Sequence, residues 1–161
     1  MDDLQQPVGY MFSAIVITLL GVVIYKLCRG KKARVSISFV LFLVYMQVLW
    51  RMAFFSREPG SRQGIDMDLF STWGQTATTH AYFIENIMMF LPFGLLVPMA
   101  FRKLQNGLVC VTAGFLCSCL IEISQLVTQR GFCQLDDVVT NTLGTLVGWL
   151  VWKIMISGIK K

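Results

Sequence analysis

The sequence predicts an all-α membrane protein, a polytopic bundle of about five transmembrane helices that forms one membrane domain over residues 1–161. Three observations lead to this class. Apolar residues make up 55% of the chain and charged residues only 14%, whereas soluble domains carry about 25% charged residues. Five apolar stretches approach the ~20 residues that a helix needs to cross the hydrocarbon core. Basic residues gather at one set of segment ends, as expected when the two faces of a protein meet different compartments.

The first two predicted helices cover about residues 8–27 and 36–55 and are separated by a basic connection. This connection, residues 26–34, carries five positive charges and no negative one. The second helix ends with Arg51 beside a tryptophan, about one turn below the membrane surface. Two interpretations of Arg51 stay open: an interfacial anchor whose charge reaches the headgroups, or a cation that faces carboxylates on other helices.

The third predicted helix, about residues 81–101, follows a long outer loop at 56–80. Its first turns carry the adjacent polar pair Glu85 and Asn86. Pro92 and Gly94 lie in its middle. Proline removes one backbone donor and bends a helix, which membrane helices tolerate where neighbours supply the missing partner. We therefore interpret Pro92 and Gly94 as structural residues.

The fourth predicted helix, about residues 107–127, carries one polar stripe. Ser118, Glu122, Gln125 and Gln129 follow each other at steps of four, three and four residues, so they share a helix face. An ionised group at the bilayer centre costs roughly 2.5–3.5 kcal/mol on insertion scales. A chain keeps such a group where it is paired, protonated or hydrated. We therefore predict that Glu122 faces the bundle interior and has a functional role.

A second outer loop, residues 128–137, leads into the fifth predicted helix, about residues 138–157. The loop contains Arg130 and ends with Asp136 and Asp137, which lie at the first turn of the helix. The helix dipole stabilises negative charge at this position, so capping alone explains one of the two carboxylates.

One face of the fifth helix changes from polar to small along its length. Asp137, Asn141, Gly144 and Gly148 follow steps of four, three and four residues. Two glycines four residues apart allow another helix to approach closely, so we predict that Gly144 and Gly148 are packing residues.

The distribution of basic residues predicts the orientation. Ten of the fourteen lysines and arginines lie on one side of the predicted bundle, and this side is expected to be cytoplasmic. The amino terminus is then outside and the carboxyl terminus inside. The net charge of +5 is explained by this face, so no nucleic-acid partner is expected.

In this topology the polar faces converge near the outer surface, and we predict one ligand-binding pocket that opens there. The residues assigned to the pocket are Arg51, Glu85, Asn86, Glu122, Gln125, Arg130, Asp136, Asp137 and Asn141. The chain shows neither zinc-ligand nor phosphatase-like spacing. No catalytic residue, metal ligand or cofactor is therefore predicted.

Three segments carry a resemblance to a known family. Asn86–Gly94 reads N-x-x-x-F-x-P-F-G, Glu122–Gln125 reads E-x-x-Q, and Asp137–Gly148 reads D-x-x-x-N-x-x-G-x-x-x-G. In this order and spacing they resemble the VanZ-like family of small bacterial membrane proteins. Positions that match the family pattern are Asn86, Pro92, Glu122, Gln125, Asp137 and Asn141, with Arg130 and Asp136 as in a common variant of the last loop.

The resemblance implies a multi-pass protein of the bacterial cytoplasmic membrane. The founding member of the family is associated with low-level resistance to the glycopeptide teicoplanin, so the expected role is reduced susceptibility to lipid-bearing glycopeptides. The pocket would bind the antibiotic or a lipid-linked cell-wall precursor, with Arg51 and Arg130 holding a phosphate or carboxylate. Membrane lipids are the other expected partners.

Two other functions stay open at the level of sequence. Carboxylates and the single histidine, His80, are consistent with metal-assisted hydrolysis of a lipid-linked phosphate. Alternatively, Glu122 takes up and releases a proton in a small proton-coupled transporter. Five helices are few for a transporter, and a homo-oligomer would supply more.

Overall fold

A computed structural model describes residues 5–29, 35–55, 58, 60, 64–69 and 77–159. The five α-helices are α1 (Gln5–Arg29), α2 (Ile37–Trp50), α3 (Ala77–Ala100), α4 (Gly107–Thr128) and α5 (Leu135–Ile159). A π-helical turn (Arg51–Phe55) continues α2, and a 3-10 turn (Arg102–Leu104) joins α3 to α4. Two short strands, β1 (Ile65–Asp66) and β2 (Cys133–Gln134), pair in parallel.

The predicted class is confirmed, because five helical stretches are long and apolar enough to cross a membrane. Large apolar side chains cover the outside of the bundle, and Leu27, Leu108 and Val127 are each more than 70% exposed. Such exposure is expected where lipid rather than water surrounds a protein.

The helix boundaries differ from the predicted ones mainly at the ends where polar residues occur. Helix α3 begins at Ala77 rather than near residue 81, and α5 begins at Leu135 rather than near residue 138. Hydropathy marks the apolar core of a span, whereas helical hydrogen bonding continues through the polar turns beside it. Parts of the predicted outer loop at 56–80, namely residues 56–57, 59, 61–63 and 70–76, lie outside the described residues.

Helices α3 and α5 are in contact through their backbones. A Cβ atom added to Gly144 would overlap the carbonyl oxygen of Ile87, and one added to Gly148 would overlap that of Leu91. From the other helix, a Cβ at Gly94 would overlap the carbonyl oxygen of Thr145. Only glycine permits this distance between two helix backbones. The crossing therefore requires all three glycines.

Neighbouring helices place hydrogen-bond donors on backbone carbonyls of α3 close to its two prolines. Tyr45 of α2 donates its hydroxyl to the carbonyl oxygen of Met89 at 2.9 Å, within the turn that precedes Pro92. Pro98 has no N–H to donate to Gly94, and the thiol of Cys110 in α4 lies 4.0 Å from that carbonyl oxygen.

The buried core lies between α2, α3 and α4. Its fully or nearly buried members are Leu49, Ala53, Phe90, Phe93, Val97, Cys110 and Ile121. Aromatic rings extend the core toward the 3-10 turn, where Phe42 and Phe101 meet edge to face with ring centroids 5.2 Å apart. Helix α1 joins this core through α2, since Gln47 donates to the hydroxyl of Thr18 at 2.7 Å.

The glycine contact leads to a stability prediction. Gly148→Leu is expected to lower the stability of the bundle by about 1–3 kcal/mol or more, because the new side chain meets backbone atoms that cannot move aside. The loss of stability is measured by heating the detergent-solubilised protein and determining, by size-exclusion chromatography, the fraction that stays folded at each temperature. Gly158→Leu in the same helix is the control, since a Cβ there meets nothing within 4 Å. Equal melting temperatures for the two variants would contradict the packing role.

Candidate functional site

The polar faces of three helices meet at one end of the bundle, where α3 and α5 begin and α4 ends. We call this the acidic end, after Glu85, Glu122, Asp136 and Asp137. Asn86 of α3 donates its side-chain amide to Asp137 Oδ1 of α5 at 2.7 Å. This bond lies just beyond the glycine contact, so the closeness of the two backbones brings the two polar side chains within reach.

A second amide joins α5 to α4. Asn141 Nδ2 donates to the hydroxyl oxygen of Ser118 at 2.9 Å, and both residues are at most 1% exposed. Buried polar side chains are stable only when they are hydrogen-bonded, so this bond offsets part of the cost of placing them between membrane helices.

Glu122 holds the backbone of the loop that precedes α5. Its Oε2 accepts a hydrogen bond from Gln134 N at 3.0 Å, and the residue is only 3% exposed. Gln134 belongs to β2, whose neighbour Cys133 donates its backbone N–H to Gly64 O at 3.0 Å. Glu122 therefore connects the interior of α4 to the strand pair at the acidic end.

The end of α4 also supports the π-helical turn after α2. Gln125 Nε2 donates to Ala53 O at 2.7 Å, and Arg130 Nη1 donates to Phe54 O at 3.4 Å. The Arg130 guanidinium lies over the Phe54 ring, 4.8 Å from its centroid. Carbonyl groups at the end of a helix lack intrahelical hydrogen-bond donors. The side chains of Gln125 and Arg130 supply these donors.

The elements at this end enclose a cavity of about 630 Å³ between α2, α3, α4 and α5. We call it the acidic cavity. Its polar lining consists of Glu85, Asn86, Glu122, Gln125, Asp137 and Asn141. The apolar and aromatic lining consists of Tyr45, Val48, Leu49, Met52, Ala53, Met88, Met89, Pro92 and Ile121. Six of the nine residues that the sequence assigned to one pocket thus lie around one space.

The structure places Arg51 elsewhere. It lines a different cavity of about 830 Å³, which lies mainly between α1 and α2 and which we call the α1–α2 cleft. Residues four apart share a helix face, and Gln47, one turn earlier, also faces this cleft and bonds to α1. Arg51 follows Gln47 toward α1, whereas Leu49 and Ala53 face the acidic cavity.

Arg130 and Asp136 are near the acidic cavity without lining it. Arg130 packs against Phe54, as described above. Asp136 is 2% exposed. Its side chain lies on a different face of α5 from that of Asp137, because successive residues of a helix point in directions about 100° apart. Asp137 and Asn141, four residues apart, share the face that lines the cavity.

Sequence reasoning missed the apolar wall of the cavity. Tyr45 and Leu49 of α2 and Met52 of the π-helical turn line it at steps of four and three residues, which is the spacing of one helix face. This signal was present in the sequence, but an apolar stripe in a membrane helix does not distinguish a cavity wall from a lipid-facing or core surface.

One buried acceptor of the cavity wall is unsatisfied. Asn141 is 1% exposed, and its Oδ1 has no hydrogen-bond partner within the part of the chain that the structure describes. A buried polar atom without a partner costs about 1–3 kcal/mol.

The carboxylates of this end act on the thiol of Cys133. Burial raises the pKa of the Cys133 thiol, and the charges of Glu122, Cys119 and Asp137 raise it further. The cavity lining among the described residues includes three carboxyl groups and no lysine, arginine or histidine. In the same residues, no group of three histidine, cysteine, aspartate or glutamate side chains is arranged to hold a metal ion.

Comparisons with known proteins agree with the motifs. The family model for VanZ/LLP1 matches residues 12–156. The chain is similar to Protein VanZ of Enterococcus faecium, with 36% identity over 65 residues that make up 40% of this chain and 40% of that protein. The aligned part therefore spans less than half of this curated relative. No solved structure matches the chain at a significant level.

The charge at the acidic end can be measured through Cys133. Glu122→Gln is expected to speed the reaction of Cys133 with a small maleimide, because loss of the negative charge lowers the pKa of the thiol and increases the thiolate fraction. Glutamine keeps an oxygen that accepts from Gln134 N. Labelling rates of a variant with Cys133 as its single cysteine, between about pH 7 and 10, give the thiol pKa.

The labelling rate should rise with pH in both proteins, and the curve should shift to lower pH in Glu122→Gln. A variant with Cys28 as its single cysteine, at the far end of α1, should show no shift. Superimposable Cys133 curves would show that Glu122 carries no charge near the thiol.

Proposed function

We propose, from the premise that this chain belongs to the VanZ/LLP1 family, that it reduces bacterial susceptibility to teicoplanin-type lipoglycopeptides. It acts by binding the antibiotic or a lipid-linked cell-envelope ligand in the acidic cavity. The observation that carries the proposal is a cavity of about 630 Å³ whose wall combines carboxyl and amide side chains with apolar ones. A volume of this size is within the roughly 300–1,000 Å³ range of small-molecule sites.

The wall of the cavity suits an amphiphile. Carboxylates and amides line one part, and methionines line another. Met52 and Met88 both line the cavity and are 45% and 59% exposed, so the cavity borders the surface that faces lipid. The acyl part of a ligand lies against these flexible side chains, while its polar part meets the acidic wall.

The acidic end faces the outside of the bacterial cytoplasmic membrane in this proposal. Ten of the fourteen basic residues belong to connections and helix ends on the opposite side, which the positive-inside rule makes cytoplasmic. The acidic cavity is then placed where an external antibiotic and the lipid-linked intermediates of wall synthesis are both accessible.

A susceptibility measurement tests the function. Expression of the chain in a teicoplanin-sensitive host is expected to raise the minimum inhibitory concentration of teicoplanin. Asn141→Leu should abolish the increase, because leucine has similar size but no acceptor. Ser118→Ala is the control: it removes the same Asn141–Ser118 hydrogen bond but leaves Asn141 in the cavity wall. Immunoblots of membranes establish equal amounts of each variant.

Full resistance in the Asn141→Leu strain at equal expression would contradict the binding proposal. Phosphate release from lipid-linked substrates, or proton flux in liposomes that is lost in Glu122→Gln, would replace it with one of the two functions left open by the sequence.

Fusion reporters test the orientation. A green fluorescent protein joined to the carboxyl terminus is expected to fluoresce in a Gram-negative host, because the fusion point is cytoplasmic, and an alkaline phosphatase at the same position should be inactive. An active phosphatase and a dark fluorescent protein would reverse the orientation and place the acidic cavity inside the cell.

A further inference from the structure

We infer that the α1–α2 cleft is a binding site for one anionic phospholipid. An acyl chain of the lipid lies in the cleft, and its phosphate lies at the end of the bundle opposite the acidic end. We call this the basic end, after Lys26, Arg102 and Lys103. The inference concerns a different cavity from the acidic one, so it does not depend on the proposed function.

The cleft is an apolar space between the facing sides of two helices. Its volume of about 830 Å³ is within the roughly 300–1,000 Å³ range of ligand sites. Thr18, Gly21, Val22 and Tyr25 line it from α1 at steps of three, one and three residues, which is the spacing of one helix face. Among the described residues its lining contains no carboxyl group. The cleft therefore suits an acyl chain.

Gly21 keeps the middle of the cleft open. A Cβ atom added to Gly21 would meet nothing within 4 Å, whereas one added to Gly94, Gly144 or Gly148 would overlap the backbone of a neighbouring helix. The absence of a side chain at Gly21 thus leaves space instead of allowing two backbones to touch. This space is available to a chain that is not part of the protein.

The depth of the cleft matches one leaflet of a bilayer. Gln47 donates to the hydroxyl of Thr18 at 2.7 Å and so joins the two walls. The eleven residues from Ser36 to Gln47 span about 16 Å along the helix axis. Half of the hydrocarbon core is about 15 Å thick. An acyl chain that enters from the basic end thus reaches the Gln47–Thr18 bond at the middle of the membrane.

Positive charge lies beside the cleft at the basic end. Tyr25 and Val35 line the cleft there, and residues 26–34, which connect them in the chain, carry five positive charges and no negative one. Ala100 of α3 also lines the cleft and is followed by the basic 3-10 turn (Arg102–Leu104). Clusters of lysine and arginine beside membrane helices recognise anionic headgroups. The charge therefore favours an anionic lipid over a zwitterionic one.

The hydroxyl groups of the lining favour the same end for the phosphate. Tyr25 and Ser36 line the cleft near the basic end, and each has an O–H group that can donate to a phosphate or ester oxygen. Arg51 lines the opposite end and is the single cation of the described lining. The larger number of charges and the two hydroxyls assign the lipid to the leaflet at the basic end.

Native mass spectrometry tests the inference. The purified full-length protein in detergent micelles is titrated with phosphatidylglycerol or with phosphatidylcholine of identical acyl chains, and the lipids retained by each protein molecule are counted. One phosphatidylglycerol is expected to bind saturably, at least about tenfold more tightly than phosphatidylcholine. Each basic residue near a membrane surface contributes about fivefold, and at least two of them act on one headgroup.

Two variants separate occupation of the cleft from charge. Gly21→Leu fills the open space and should lower phosphatidylglycerol affinity at least about tenfold, whereas Gly158→Leu, where a Cβ also meets nothing within 4 Å, should leave it unchanged. Lys26→Gln should lower it about fivefold. Lys153→Gln removes the same charge from an exposed position on α5, which does not line the cleft, and should have no effect.

Equal affinity for the two lipids, or unchanged phosphatidylglycerol affinity in Gly21→Leu, would overturn the inference. A dimer that dissociates in Gly21→Leu would also overturn it, because a second copy of the chain would then occupy the cleft. A larger loss in Arg51→Gln than in Lys26→Gln would contradict the position of the headgroup. Lys26 is exposed, so Lys26→Gln keeps the test decisive should Gly21→Leu not fold.

Discussion

The backbone contact between α3 and α5 is the constraint on which the other features of the structure depend. Gly94, Gly144 and Gly148 leave no side chain between the two helices. Lipid is as apolar as the helix surfaces, so close packing and hydrogen bonds must hold membrane helices together. Once the crossing is set, Asn86 and Asp137 lie at hydrogen-bond distance just beyond it. The same contact therefore supplies packing in the middle of the bundle and a polar wall at one end.

Buried polar groups at the acidic end serve two different purposes. Glu122 and Gln125 pair with backbone groups of β2 and of the π-helical turn, where helices and strands leave donors and acceptors without partners. Such pairs stabilise the fold, because both groups avoid an unmet hydrogen bond. Asn141 Oδ1 differs, since it is buried and unpartnered within the described chain and borders a cavity. Within the described residues, Glu122 and Gln125 thus satisfy backbone groups of neighbouring segments, whereas Asn141 keeps one buried acceptor unsatisfied.

The candidate site was predictable wherever it depends on helical spacing. Helical spacing grouped Glu122 with Gln125 and Asp137 with Asn141, and these four residues line one cavity. Arg51 was grouped with them because it lies at the same membrane depth. Depth does not specify the direction in which a side chain points around the helix, and Arg51 points toward the α1–α2 cleft instead.

Composition and spacing by themselves determined the membrane class, the number of helices and the residues that share each helix face. These properties are local: the cost of inserting a segment in lipid depends on its own side chains, and the helical period relates residues three or four positions apart. Only the tertiary structure decided which faces meet. The pairing of β1 with β2, the bond from Gln134 N to Glu122 and the rotation of α2 all depend on contacts between distant segments. Two-residue strands have no periodic pattern, and packing against α1 and α3, rather than the sequence of α2, sets the direction in which Arg51 points.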